Sequence, residues 1–122
     1  LLPGTIYQCT LVFHHRGLSL WSFELSTVDS LSRQAGGCII TDPRHTTLDT
    51  LLGVIYLKNT LRGVFLGQPD SARWAFAYAS PDCNIGPVSF YWTGYLSRRT
   101  SRRNYHIVEN SITLPQRLDP EE

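Results

Sequence analysis

Four guanidinium groups fall within six residues of the 122-residue chain, at Arg98, Arg99, Arg102 and Arg103, with Thr100, Ser101 and Asn104 as polar neighbours. Guanidinium forks bind carboxylates, sulfates and phosphates through paired hydrogen bonds, so the cluster is the candidate for recognising an acidic glycan or an acidic protein patch. Screening at physiological salt leaves only close contacts useful. The aromatics form a second group. Tyr91, Tyr95 and Trp92 are candidates for core or a subunit interface; alternation puts Tyr91 and Tyr95 on the face opposite Phe90 and Trp92, where they would pack a second sheet or meet another subunit.

The remaining reactive side chains do not converge on a reaction. His14 and His15 are adjacent on a strand edge and point to opposite faces, so they cannot share an ion, and His45 and His106 stand alone. Cys9, Cys38 and Cys83 are an odd number without a C-x-x-C pair, which reads as three reduced, mostly buried thiols; one disulfide plus a spare thiol is the alternative. No serine sits in G-x-S-x-G, and Gly36-Gly37 is no phosphate loop. Asp29, Asp42, Asp49, Asp70 and Asp82 occupy turn-like settings, where the side chain caps its own backbone. The expectation is a protein that is no enzyme, with no catalytic residue, no cofactor and no metal.

The elements that must position these groups are strands. Hydrophobic residues at 42% and charged residues at 17% describe a globular chain, and a net charge of +1 gives no reason to expect nucleic acid. No apolar run is long enough to insert in a membrane as a helix. The chain has no methionine, which reads as a segment of a longer polypeptide. Tyr7, Cys9, Leu11 and Phe13 alternate with polar residues, Trp21, Phe23 and Leu25 do the same, and a turn around Gly17 would join them as a hairpin. Residues 29–50 read as a long loop around one short strand at 38–40. Strands follow at 52–57, 61–66, 73–78 and 88–93, then a polar loop at 97–104 and a last strand at 105–114. A helix over 46–57 competes, but Gly53, Val54 and Ile55 favour strand. The fold class is all-β, an antiparallel β-sandwich or barrel of seven or eight short strands.

Two segments resemble the globular head of the adenovirus fibre. One is Thr10-Leu11-Val12-Phe13, three residues, Gly17 and an alternating strand; the other is Val88-Ser89-Phe90-Tyr91-Trp92-Thr93-Gly94 before a closing strand. The resemblance implies a homotrimeric head at the tip of a shaft that attaches the virion to a host cell-surface receptor, protein or acidic glycan. It also implies synthesis in the host cytoplasm, assembly in the nucleus and a place on the virion surface. Residues 1–6 would then be shaft or linker, 7–114 the head and 115–122 a tail. A second resemblance, of Arg73 to Tyr78 and of Phe90 to Tyr95, is to the tryptophan-bearing strands of avidin, and implies a barrel for a small ligand or glycan.

Overall fold

The computed structural model describes residues 1–65, 69–98 and 101–116, and their side chains except at residues 65 and 101–105. Among the described residues, eight strands run in the order β1 (Ile6–His14), β2 (Leu20–Val28), β3 (Gly37–Ile39), β4 (Thr46–Leu51), β5 (Val54–Asn59), β6 (Ser71–Ala79), β7 (Val88–Arg98) and β8 (Ser101–Leu114), with a 3-10 turn at Arg62–Phe65. They form an antiparallel sandwich of a three-stranded sheet, β1-β6-β3, and a five-stranded sheet, β4-β5-β2-β7-β8. Alternation drives this: the inward side chains of each strand, Leu11 and Phe13, Trp21, Phe23 and Leu25, Trp74, Phe76 and Tyr78, are buried between the sheets. Each large side chain removed from water contributes about 1.5–3 kcal/mol. Trp74 is at the centre, its ring against Phe13 and Phe23 and its indole N–H donated to the Gly63 carbonyl at 3.2 Å.

The structure corrects four local expectations. β1 and β2 are no hairpin: β1 pairs with β6, and β2 with β5 and β7. The connection crosses between sheets because its backbone is tied elsewhere, His15 N–H to Asp70, Gly17 N–H to the Asp70 carboxylate and Ser19 N–H to Ser97, with Leu18 buried as a plug. The loop expected at 29–50 contains β4, which pairs residue for residue with β5 through a turn at Leu52 and Gly53, both at positive φ. In place of a strand from residue 61 the chain makes the 3-10 turn, held by Thr60, whose hydroxyl donates to Arg44 and accepts from Gly63 N–H. The loop expected at 97–104 is the end of a hairpin: β7 runs to Arg98, and Arg98 pairs with Ser101 of β8.

Asp29 behaves as a turn residue, whereas Asp49, also expected in a turn, lies within β4. Asp29 accepts from the backbone N–H groups of Leu31 and Arg33 and from the Arg33 guanidinium, at 2.9–3.0 Å. These bonds, that from the Arg33 backbone foremost, hold its carboxyl below the usual range. Beyond this turn, Gly36 has φ +65 and lies against Tyr78 and the Ala79 carbonyl, a place only glycine fits.

Candidate functional site

The five-stranded sheet covers its inner face with the second sheet and leaves its outer face open. The strand registers set the outward residues in rows. One row reads Thr47, Lys58, Glu24, Thr93 and Glu109, from β4 to β8. The next reads Asp49, Tyr56, Ser26, Tyr91 and Ser111. Beyond the first row, Ser22, Tyr95 and Ile107 align across β2, β7 and β8. Neighbours in such rows are within side-chain reach. Tyr91 is 50% exposed and Tyr95 47%, while Ser26, flanked by Tyr56 and Tyr91, is buried beneath them. Tyr91 and Tyr95 therefore face outward as the alternation predicts, and among the described residues no second sheet covers them.

Among the described side chains, charge within these rows is lopsided. Glu24, Asp49 and Glu109 supply three carboxylates, and Lys58 is the one cation in the rows, its ammonium 3.1 Å from Asp49. That hydrogen bond, with the attraction of the charge, lowers the Asp49 carboxyl below its ordinary value. A shallow cleft of about 250 Å³ separates Glu24 and Lys58 from Tyr95, and another of about 500 Å³ lies beside Tyr91 and Glu109.

Trp92 has the opposite parity and a different neighbourhood. It lines an apolar slot of about 480 Å³ where β1, the edge of one sheet, faces β8, the edge of the other. Tyr7, Cys9 and Leu11 form one wall, Ile112 and Leu114 the other, and Phe76 and Phe90 the floor. Trp74, paired with Trp92 in the avidin-like reading, is not in the slot but fully buried in the core.

Of the arginine cluster, Arg98 in β7 and Arg102 and Arg103 in β8 lie at the far end of the same sheet. Arg98 is exposed at the end of β7, near Gly17. Arg99 lies outside the described residues, as do the side chains of Arg102 and Arg103. The histidines are dispersed except for His15 and His106, whose rings meet at 4.6 Å. Among the described residues no three His, Cys, Asp or Glu side chains gather to hold a metal. All three cysteines are free; Cys9 and Cys38 are half-buried, but Cys83 is exposed, against the expectation of mostly buried thiols.

Sequence reasoning found Tyr91 and Tyr95 and missed Tyr56, Glu24 and Lys58 as their neighbours. Parity along each strand was readable, but the rows depend on which strand lies beside which. Of the missed residues, only the outward alternation of Glu24 with Ser22 and Ser26 was legible.

No family model matches the sequence, and no curated protein matches it. Solved structures do resemble the fold. A human F-spondin reeler domain superposes with a TM-score of 0.63 at 17% identity, over 94% of this chain and 79% of that one. The Reelin-N domain of F-spondin gives 0.63 at 18% identity, over 94% and 76%. A cohesin module from a family 33 glycoside hydrolase of Clostridium perfringens gives 0.64 at 9% identity, over 98% and 90%. These neighbours overturn the resemblance to the adenovirus fibre head. The two segments that suggested it are ordinary alternating strands, β1 and β7, whose pattern any sandwich requires. The trimer, the host receptor and the virion surface were implied by that resemblance and lose its support. At these identities the likeness establishes the fold alone, an antiparallel β-sandwich similar to reeler domains and to a cohesin module.

Proposed function

We propose that this chain is a recognition domain without catalysis, which docks a folded protein partner carrying a basic surface on the outer face of its five-stranded sheet. The observation that carries this is the open tyrosine face itself: Tyr56, Tyr91 and Tyr95 set among serines and threonines. Tyrosine provides large contact area at low conformational cost, and small hydroxyl residues adapt their hydrogen bonds around it, the composition of protein-binding surfaces. The carboxylate excess specifies the partner's charge. Self-pairing of this face would bring two sets of carboxylates, with Glu24 and Glu109 lacking a salt-bridge partner among the described residues, into one interface, and like charges in a closing interface cost several kcal/mol.

The absence of a catalytic role is supported by how the reactive groups are engaged. Asp29 is bonded to Arg33, Asp42 to His45 at 2.7 Å and Asp49 to Lys58. Burial raises the Cys9 thiol, and pushes Cys38 to about 12, so both are protonated near neutral pH and poor nucleophiles. In the structural neighbours the same sandwich is named as a domain of F-spondin and as a module of a glycoside hydrolase.

The test uses binders selected against the folded chain from a display library of scaffolds with a randomised surface. Most are expected to be basic, to weaken as salt rises from 50 to 500 mM, and to lose at least tenfold in affinity for Tyr91→Ala/Tyr95→Ala, a variant that keeps its thermal midpoint because both rings are half exposed. Binders that ignore this variant would refute the proposal. So would saturable binding to a glycan array that vanishes in it, which would make the face a sugar platform.

A further inference from the structure

The slot between β1 and β8 is a piece of sandwich interior left uncovered. Ile112 is on the inner face of β8, in register with Phe90, yet is 48% exposed, and Tyr7, Cys9 and Trp92 are only partly buried. Both ends are closed. At one, the Leu1 side chain packs against the core and lines the slot. At the other, the Phe13 ring lies so close to Gly94 and Val108 that a side chain on Gly94 would come within 2.7 Å of it. Between them the edge of β1 from Tyr7 to Val12 runs about 17 Å at ~3.4 Å per residue.

Among the described residues, nothing pairs with the backbone of that edge. Ser80 N–H donates to the Thr5 carbonyl and His15 N–H to that of Asp70, and these pairs continue the unbroken β1/β6 register. Odd-numbered residues of β1 therefore turn their N–H and C=O towards β6, and Gln8, Thr10 and Val12 turn theirs away from it. Among the described residues no backbone bond outside the ladders reaches these three. Sheet edges are ordinarily protected by charge, proline, a bulge or shortness. The edge of β3 is three residues long, that of β4 carries Asp49 and that of β8 Glu109. β1 keeps nine residues in register, with no bulge, no proline and no Asp, Glu, Lys or Arg.

We infer that this slot accepts one extended segment of a partner polypeptide, added antiparallel to β1, with uncharged apolar side chains at alternate positions. Its outward residues bond Gln8, Thr10 and Val12, and its inward residues, opposite Tyr7, Cys9 and Leu11, fill the space between the sheets. The slot sets the chemistry, since no charged side chain lines it. A second copy of this chain does not fit: its β1 would satisfy the backbone, but its inward side chains are committed to its own core and would leave the slot empty. A small apolar molecule would fill the space and leave the edge unbonded. This site is distinct from the tyrosine face and stands or falls separately.

The test titrates a capped heptapeptide of alternating threonine and valine into the 15N-labelled chain. Saturable binding is expected, with amide exchange slowed at Gln8, Thr10 and Val12. N-methylation of the outward threonines should weaken binding at least tenfold, and N-methylation of the inward valines less than threefold. Thr10→Pro removes one edge N–H that the β1/β6 ladder does not use, so it should fold and bind at least tenfold more weakly. If it fails to fold, the two methylated peptides decide on the unaltered protein. Tyr91→Ala/Tyr95→Ala should bind the peptide unchanged. No saturation by 1 mM, or equal binding of both methylated peptides, would overturn the inference. So would decanoate displacing the peptide and binding Thr10→Pro as well as the parent chain, or self-association that Thr10→Pro abolishes.

Discussion

Cys38, Cys9 and Tyr78 are neighbours on the inner side of the three-stranded sheet, and burial governs all three. It takes the Cys38 thiol from 9.0 to about 12, with a smaller push from Cys9, and takes Tyr78 from 10.0 to about 12. The folded state thus favours their protonated forms. The stability this provides is complete below the ordinary thiol and phenol values and is lost as pH rises from about 9 towards 12. Urea midpoints should fall over that window, and less steeply in Cys38→Ala. Asp29 acts with the opposite sign: its lowered carboxyl adds stability above the usual carboxylate range that is lost as pH falls through its folded value. In Asp29→Asn that acid dependence should shrink. The thiols also differ in access. At pH 8 a disulfide reagent should modify the exposed Cys83 fastest, and Cys83→Ser should lose that fastest phase; equal rates at all three thiols would contradict the partial burial of Cys9 and Cys38.

At the scale of elements, the β4–β5 hairpin shows what a pattern hides. Its turn needs two residues at positive φ, and such turns are usually marked by Asn-Gly. Here they are Leu52 at +51° and Gly53 at +79°, and the leucine is 95% exposed. An apolar side chain at that position sends the wrong signal, and 52–57 reads as one continuous strand. Leu52→Asn should stabilise the chain by about 1 kcal/mol, the cost of holding an ordinary L-residue in that conformation. A decrease in the urea midpoint would contradict the turn geometry. β1, β2, β6 and β7 were legible because each alternates under strong burial of one face. Their partners were not: the plug of Leu18 and the ties to Asp70 that send β1 and β2 to different sheets are tertiary.

Over the whole molecule, a three-stranded sheet covers only part of a five-stranded one, and the two candidate sites follow from that mismatch. One is the outer face, whose parity was legible at Tyr91 and Tyr95 but whose acidic rows required the strand order. The other is the slot, which no linear pattern announces because its walls come from β1, β7 and β8 together. On the function proposed above, the tyrosine face stays open for a different protein. Sedimentation equilibrium at tens of micromolar tests it most directly. A single species of 13.8 kDa is expected for the chain and for Tyr91→Ala/Tyr95→Ala alike. A trimer of about 41 kDa, three times 13.8 kDa, that dissociates in that variant would show the face closed on its own copies and would contradict the account.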